Sequence, residues 1–236
     1  MSTHRRVVVS WSSGKDSAWM VHQLRNDPGV EIIALITTLN EPADRVAMHA
    51  VRRTLLEAQA RELHLPLWTV PLPFPCSNEI YESRFQAGLK PALQLGATHL
   101  AFGDLLLEDV RRYRCNLLKE TGLVPWFPIW CGESSGGTSD VARRIPQTGF
   151  KAIITCIDPR QLSPDFLGRS YDTDFLQDLP DHVDPCGENG EFHTFCHAGP
   201  IFSHDISVRT GTRLERDGFW FLDLEPGEAG AKDPRD

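Results

Sequence analysis

The residues with the clearest capacity for chemistry stand near the N-terminus, in the stretch VVVSWSSGKDSAW at positions 7 to 19. The β-branched run predicts a strand, and the small polar residues after it predict a turn into a helix that opens near Lys15 and Asp16. At such a turn, free backbone N–H groups and the positive end of the helix dipole face one point and favour an anion. Hydroxyl donors, one ammonium and one position of close backbone approach reinforce this preference: Ser12, Ser13, Ser17, Lys15 and Gly14. The stretch therefore predicts an exposed phosphate-binding loop.

A Walker motif and a plain helix cap are the alternatives to this loop. The Walker motif is excluded, because Asp16 rather than Ser or Thr follows Gly14-Lys15 and because Val9 occupies the position of the first glycine. The plain helix cap, formed by a serine or by Asp16, is the simpler alternative. Capping requires neither a lysine beside a glycine nor four donors within six residues, so phosphate binding is the preferred interpretation.

Three blocks of the sequence together resemble one known family. SSGKDS (12–17) resembles the SGGxDS signature of the PP-loop ATP pyrophosphatases, α/β enzymes that cleave ATP between its α- and β-phosphates and pass through an adenylated substrate. FGDLLLEDVRRYR (102–114) and VDPCGENGEFHTFCHAGPIF (183–202) are similar to the other two blocks of the diphthine–ammonia ligase family, in its bacterial-type members. Ser13 departs from the commonest signature, which has glycine there. A positive φ would be costly for serine, and we expect this turn to tolerate it.

The resemblance implies where ATP and Mg²⁺ bind. Residues 12–17 are expected to hold the phosphates of ATP. Asp16 is the expected protein ligand of Mg²⁺, since this ion takes phosphate oxygens and one or two carboxylates. The adenine ring is expected at the end of the second strand, at Ile36 and Thr37, largely on backbone groups.

The segment that follows the fourth predicted strand is also implied to face the nucleotide. Gly103 and Asp104 end that strand at the sheet edge where ligands of open parallel sheets bind. A helix cap is the alternative role for Asp104. Arg111 or Arg114 is expected to reach the phosphates, and a surface ion pair between Glu108 and Arg111 is the alternative.

The block Gly187–Glu191 (GENGE) is the candidate acceptor site. Two glycines, two acids and an amide make a poor core segment and a good loop for close approach. Glu188 and Glu191 join Lys15 and Asp104 as candidate catalytic residues, since a carboxylate can accept the proton that an attacking amine loses. A β-turn that carries surface acids is the alternative.

These features predict an ATP-dependent ligase that adenylates a carboxylate and amidates it with ammonia or an amine, releasing AMP and pyrophosphate. The named activity of the family forms diphthamide on elongation factor 2, and for a bacterial-type member a small-molecule carboxylate is the alternative to a protein side chain. A nucleotide-binding or nucleotide-hydrolysing PP-loop protein and a tRNA-modifying ATPase are the competing functions. The latter would require a basic face, whereas the net charge is −8 and residues 131–236 carry 10 basic and 19 acidic groups.

The composition indicates a globular chain of 236 residues, with 41% apolar and 24% charged residues and no nucleic-acid partner. No apolar run is long enough to span a membrane and no signal segment is visible, so we expect a cytoplasmic protein. The six cysteines form no CxxC pair and are expected to be reduced. Two cysteines and two histidines are of the types that bind zinc, but their spacing fits no usual zinc motif. Core packing is therefore the preferred role of Cys186, His193, Cys196 and His197. The sequence leaves a homodimer open.

Hydrophobic periodicity predicts the scaffold that positions these motifs. Strands are predicted at Val7–Ser10, Val30–Leu39, Leu67–Leu72 and Thr98–Gly103, with helices between them, one of which covers residues 79–95. This order predicts an α/β fold with a doubly wound, Rossmann-like parallel sheet, and the resemblance implies the adenine-nucleotide alpha-hydrolase type. A break rich in Pro, Trp and Gly separates an ATP-binding domain (1–130) from a smaller α+β substrate-binding domain (131–236). The latter is predicted to end in a hairpin at Asp217-Gly218.

Overall fold

The structure, a computed structural model, describes residues 4–47, 49–132 and 137–227. Six strands of these ranges form the first sheet: β1 (Arg5–Ser10), β2 (Val30–Asn40), β3 (Arg45–Val46), β4 (Leu67–Leu72), β5 (His99–Ala101) and β6 (Val124–Trp126). Five of them run parallel in the spatial order β4-β2-β1-β5-β6, and the short β3 pairs antiparallel with the end of β2. The predicted parallel sheet is confirmed.

The strand order of this sheet reverses beside β1. From β1 the chain moves outward through β2 and β4, and it then returns to place β5 on the other side of β1. In open α/β sheets, ligands bind in the crevice at such a switch point, beyond the carboxyl ends of the strands. The residues that follow β1 and β5 therefore meet at this crevice.

Helices cover both faces of the first sheet. They are α1 (Lys15–Arg25), α2 (Arg53–Glu62), α3 (Asn78–Gly88), α4 (Lys90–Gln94) and α5 (Glu108–Leu118). Val7 and Val9 of β1 belong to the apolar cluster that contains α1 and α2, whereas Val8 belongs to the cluster that contains α3, α4 and α5. Because neighbouring side chains of a strand point to opposite faces, a sheet covered on both sides requires the uninterrupted apolar run seen in β1.

The second half of the chain forms a smaller antiparallel sheet. Its elements are α6 (Gly137–Gln147), β7 (Lys151–Ile157), α7 (Thr173–Asp178), β8 (Phe192–Ala198), β9 (Val208–Arg216) and β10 (Phe219–Pro226), with strand order β8-β7-β10-β9. Asp217 and Gly218 join β9 to β10 with positive φ at both positions, as a two-residue hairpin requires, and the predicted hairpin is confirmed. The apolar residues of β8 share one cluster with α1 and α2, so this sheet packs on that face of the first sheet. The domain boundary at residue 130 stays a prediction.

Some predicted element boundaries were wrong for local reasons. The helix predicted over residues 79–95 is two helices, because Pro91 lacks the N–H that a continuous helix would donate. A Cβ at Gly88 would lie 2.5 Å from Cγ2 of Val70, so the last turn of α3 fits against β4 only with glycine there. The strand predicted at residues 98–103 is shorter, and β3, β6 and β8 were not predicted. β6 contains Pro125, which an edge strand tolerates although the sequence around it resembles a break.

None of the helices in the described ranges has the length and apolar character that crossing a membrane requires. The cytoplasmic location and the homodimer stay predictions.

Candidate active site

A cavity of about 550 Å³ opens at the carboxyl ends of β1, β2 and β5. Such a volume is within the range of small-molecule sites. Ten of the residues predicted from sequence line it: Ser12, Lys15, Asp16, Ser17, Ile36, Thr37, Gly103, Asp104, Arg114 and Glu188. Four others are not among its lining residues: Ser13, Gly14, Arg111 and Glu191. The fold thus brings three distant blocks of sequence to one crevice.

The phosphate-binding loop does not cap the start of α1 with its own side chains. Gly14 is the N-cap residue and its backbone is extended, and the Lys15 N–H donates to the hydroxyl of Thr194 on β8 at 3.0 Å. Ser12 and Ser17 share a hydrogen bond of 3.1 Å between their hydroxyls, and the Ser17 hydroxyl donates to the carbonyl of Gly14. The plain-cap alternative is therefore not what the loop forms, and the helix N-terminus faces the cavity.

Ser13 adopts the left-handed conformation that its position in the loop requires. Its φ is +71°, and its buried hydroxyl has no hydrogen-bond partner among the described residues. This conformation costs a non-glycine residue about 1–2 kcal/mol. The Ser13 carbonyl oxygen accepts from Cys196 N at 2.9 Å and from Gln59 Nε2 at 2.9 Å, and these two bonds hold the strained residue in place.

Lys15 is buried rather than exposed, so this part of the expectation was wrong: only 2% of the residue is accessible. Its ammonium lies 2.9 Å from Oδ2 of Asp16 and also donates to the carbonyl of Cys186. The rings of Tyr171 and Phe192 lie 5.1 and 5.3 Å away. Burial by itself would lower the pKa of Lys15, but the Asp16 carboxylate holds it above its ordinary value. Lys15 therefore stays charged while it bridges the loop to the second half of the chain.

Glu188 belongs to the acceptor block and docks on the segment after β5. Its Oε2 accepts from the backbone N–H groups of Leu105 and Leu106 at 3.0 and 3.2 Å. The side chain is half-buried and lines the cavity. Burial raises the pKa of Glu188 to about 7, and the Asp16 carboxylate adds to the rise. Glu188 can therefore exchange a proton near neutral pH.

Asp104 and Arg114 form a second charged pair on the cavity wall. Oδ2 of Asp104 lies 3.7 Å from Nε of Arg114, which is an ion pair but too long for a hydrogen bond, and both atoms are buried without a hydrogen-bond partner. The Arg114 guanidinium donates to the Tyr81 hydroxyl at 3.1 Å and lies over the Phe102 ring. Burial raises the pKa of Asp104, opposed by Arg114. Leu107 is the N-cap of α5, so Asp104 is not its cap.

Glu191 is buried beneath the acceptor block and binds its backbone. It is buried, and its carboxylate accepts from the backbone N–H groups of Asp184 and Asn189 and from the Asn189 side-chain amide, at 2.8, 2.9 and 3.1 Å. Because Glu188 is half-buried and Glu191 buried, the alternative of surface acids is excluded. The catalytic role of Glu191 stays a prediction. The contacts that the structure gives it hold the backbone of the acceptor block in place.

Arg111 lies on the outer surface of α5. Its guanidinium contacts Oε2 of Glu108 at 3.4 Å, with side-chain exposures of 41% and 66%, and lies 4.9 Å from the Trp130 ring. This is the surface ion pair named as the alternative. A phosphate contact by Arg111 stays a prediction.

Sequence reasoning missed His49, which lies outside the three blocks, and favoured a core role for His193, which the structure places on the cavity wall. His49 and His193 line the cavity with ring centroids 4.6 Å apart. Burial lowers the pKa of His49 to about 4 and that of His193 well below its ordinary value, so both rings are neutral. Among the described residues no group of three or more His, Cys, Asp or Glu side chains is arranged to hold a metal ion.

Comparison with known proteins relates the chain to one family. Residues 137–226 match a family model described as the diphthamide synthase C-terminal domain. Over 226 residues the chain is 25% identical to a curated protein of Bos taurus named diphthine–ammonia ligase, covering 86% of this chain and 82% of that relative. The family-model match includes the whole of the acceptor block and β8.

Proposed function

We propose that this chain, which belongs to the diphthine–ammonia ligase family of PP-loop enzymes, adenylates an acceptor carboxylate and amidates it with ammonia or another amine, releasing AMP and pyrophosphate. One observation carries the proposal. The start of α1 and the half-buried Glu188 lie on the same cavity, although about 170 residues separate them in sequence. An anion site and a carboxyl group of near-neutral pKa are the two parts that this two-step reaction requires.

The phosphate loop has the donors that ATP phosphates need. Ser12 and Ser17 line the cavity, and so do Lys15 and Asp16 of the first turn of α1, where the positive end of the helix dipole lies. Ile36 and Thr37 line the same cavity at the end of β2, where we place the adenine ring. ATP is the substrate that supplies the adenylyl group.

The carboxylates of the cavity supply oxygen donors for a hard divalent cation, although among the described residues no three of them are arranged to hold an ion without the phosphates. Asp16, Asp104 and Glu188 line it, and Oδ2 of Asp104 is a buried acceptor without a hydrogen-bond partner. Oxygen donors of this kind suit Mg²⁺, which would neutralise phosphate charge when bound. Asp16 is the first proposed ligand. In the structure its carboxylate is paired with Lys15.

Glu188 is the proposed proton acceptor in the second step. An amine attacks only as the neutral species, so ammonium must lose a proton before or during attack. A carboxyl group whose pKa is about 7 is partly ionised at neutral pH and can take that proton. The two N–H groups from residues 105 and 106 fix the direction in which Glu188 points.

For the acceptor we propose a chemical class rather than a specific molecule. The name of the bovine relative gives diphthine as acceptor and ammonia as donor. For this chain we propose a carboxylate on a small molecule or on a protein side chain, and ammonia or an amine as the donor.

Product analysis tests the proposal. The protein is incubated with ATP, Mg²⁺, ammonium and a panel of carboxylic acids, and the nucleotides are separated by chromatography. Release of AMP and pyrophosphate that depends on one acid is the expected result. ADP and phosphate would contradict the ligase assignment, and ATP binding without turnover by any acid would favour a nucleotide-binding protein.

A further inference from the structure

Gln59 is a buried polar residue that no part of the mechanism uses. It lies on α2, its exposure is 0%, and it is not among the residues that line the cavity. Its Oε1 accepts from Trp11 Nε1 at 2.9 Å, and its Nε2 donates to the carbonyl oxygens of Ser13 and Cys196 at 2.9 and 2.7 Å. Indole N–H only donates and carbonyls only accept, so the amide can be oriented in one way alone.

The three hydrogen-bond partners of Gln59 come from three different segments of the chain that meet beside the cavity. Trp11 follows β1, Ser13 lies in the phosphate loop, and Cys196 lies on β8. Cys196 N also donates to Ser13 O, so both acceptor positions of that carbonyl are used. Gln59 therefore joins the loop both to the parallel sheet and to the second sheet.

Ser13 needs this support because its own side chain supplies none. Its φ is +71°, a region that serine rarely adopts, and its buried hydroxyl has no hydrogen-bond partner in the part of the chain that the structure describes. The two donors to its carbonyl are the interactions that oppose a return to ordinary φ. A glycine at position 13 would adopt the same φ without strain.

The orientation of the Ser13 carbonyl also sets the direction of the next N–H. A trans peptide unit is planar, so its C=O and N–H point in opposite directions. Because the Ser13 carbonyl points inward to Gln59 and Cys196, the Gly14 N–H points the other way, toward the hydroxyl of Ser12 at 3.4 Å, which lines the cavity. The amide of Gln59 thus fixes a donor of the phosphate loop without touching the ligand.

We propose that Gln59 is the positioning residue of the phosphate loop, and that it holds Ser13 in the left-handed conformation that directs the Gly14 N–H toward the hydroxyl of Ser12 on the cavity wall. The inference rests on the proposed use of the loop for ATP. It predicts energetic coupling between positions 59 and 13, because a glycine at position 13 makes the support less necessary.

The test is a cycle of four proteins: the natural chain, Gln59→Met, Ser13→Gly and the double variant. The dissociation constant for ATP with Mg²⁺ is measured for each. In the natural chain, Gln59→Met is expected to weaken ATP binding by about 10-fold. In the Ser13→Gly background, the same change is expected to weaken it by less than about 3-fold. Equal losses in both backgrounds, or no loss in either, would overturn the proposal.

A control variant at the half-buried Gln86 separates loop positioning from the general cost of losing an amide that joins two segments. Gln86 on α3 also donates its Nε2 to a backbone carbonyl of another segment, Leu117 O at 3.0 Å, on the opposite face of the sheet. Gln86→Met is expected to lower the melting temperature while leaving ATP affinity unchanged. A loss of affinity equal to that of Gln59→Met would count against the inference.

Gln59→Asn replaces Gln59→Met in the same two backgrounds should the Met variant not fold, since it keeps an amide but shortens its reach by one methylene. Failure of the natural chain to bind ATP would defeat the proposed function itself. ATP binding by the natural chain without coupling between positions 59 and 13 would defeat only the role of Gln59.

Discussion

Lys15 donates a hydrogen bond from its ammonium to the carbonyl oxygen of Cys186, which stands 171 positions further along the chain. The same ammonium contacts both carboxylate oxygens of Asp16, at 3.0 and 2.9 Å. The phosphate loop is thereby tied to the residue directly before the acceptor block. Movement of Lys15 toward a phosphate would break this hydrogen bond to Cys186, so we expect nucleotide binding to affect the position of the acceptor block.

Lys15→Met is predicted to abolish ATP turnover and to destabilise the fold. The substitution keeps most of the apolar stem but leaves Asp16 and the Cys186 carbonyl without their partner. Removing one member of a buried pair costs about 3–5 kcal/mol. AMP release and the free energy of unfolding in urea are the measurements.

Lys90→Met is the control for Lys15→Met, because Lys90 is an exposed lysine on α4. It is expected to change stability by less than ~0.5 kcal/mol and turnover not at all. A Lys15→Met protein of unchanged stability and full turnover would refute the bridging role.

Glu188→Gln is predicted to reduce amide formation about 10²–10⁴-fold, the usual effect of losing one positioned base. ATP affinity should fall far less, since the proposed phosphate donors lie in residues 12–17. Because the pKa of Glu188 is about 7, the rate of the natural enzyme should rise with pH through neutrality as the carboxylate forms. That rise should vanish in the variant. Parallel losses of ATP affinity and rate would instead make Glu188 a ligand of the nucleotide or the metal.

The pH dependence of the free energy of unfolding should also reveal the pKa of Glu188, and measuring it requires no acceptor substrate. Folding raises the pKa from 4.5 to about 7, so between these values the folded state holds more protons than the unfolded state. The contribution of Glu188 to stability is therefore largest at low pH and is lost as pH rises, by about 3 kcal/mol in total. Glu188→Gln should flatten this part of the stability profile measured by urea unfolding. An unchanged profile would mean that the pKa of Glu188 is ordinary.

Glu191→Gln is predicted to act through stability. The Gln amide would turn an NH₂ group toward one of the donors that the carboxylate now accepts, from Asp184 or Asn189. An unsatisfied buried donor costs about 1–3 kcal/mol. The melting temperature should fall, and amide formation should decline only as far as the acceptor block loosens. A large loss of rate at an unchanged melting temperature would show that Glu191 takes part in the chemistry.

The phosphate loop and the parallel sheet could be predicted from the sequence, because both depend on patterns of neighbouring residues. An apolar run followed by SSGKDS predicts a strand, a turn and a helix from neighbouring residues alone, and α1 begins at Lys15 as expected. The burial of Lys15 could not be predicted in this way, since its cage of Cys186, Tyr171 and Phe192 comes from the other half of the chain.

The residues that sequence reasoning missed, or to which it gave another role, depend on pairing between distant segments. His49 follows the two-residue strand β3, which no periodicity could reveal, and His193 lies on β8, which resembled a continuation of an irregular block. Gln59 is a polar residue on the buried side of α2, and a pattern of apolar positions cannot identify it. Its significance appears only once its three partners are brought together.

Arg111 and Arg114 are three residues apart on α5 and offer a matched comparison. Arg114 lines the cavity beside Asp104, whereas Arg111 pairs with Glu108 on the surface. Arg114→Lys keeps the charge but loses the planar fork that contacts Tyr81, and it should weaken ATP binding by about 10-fold, or about 1.4 kcal/mol.

Arg111→Ala should leave ATP affinity within about twofold and stability within about 0.5 kcal/mol, because an exposed ion pair contributes little. Isothermal titration of ATP with Mg²⁺ into both variants makes the comparison, with urea unfolding as the measure of stability. Equal losses of affinity would place both side chains at the phosphates and would require Arg111 to leave Glu108 and Trp130 when ATP binds. A loss confined to Arg111→Ala would remove Arg114 from the nucleotide site and leave it with the role of holding Asp104.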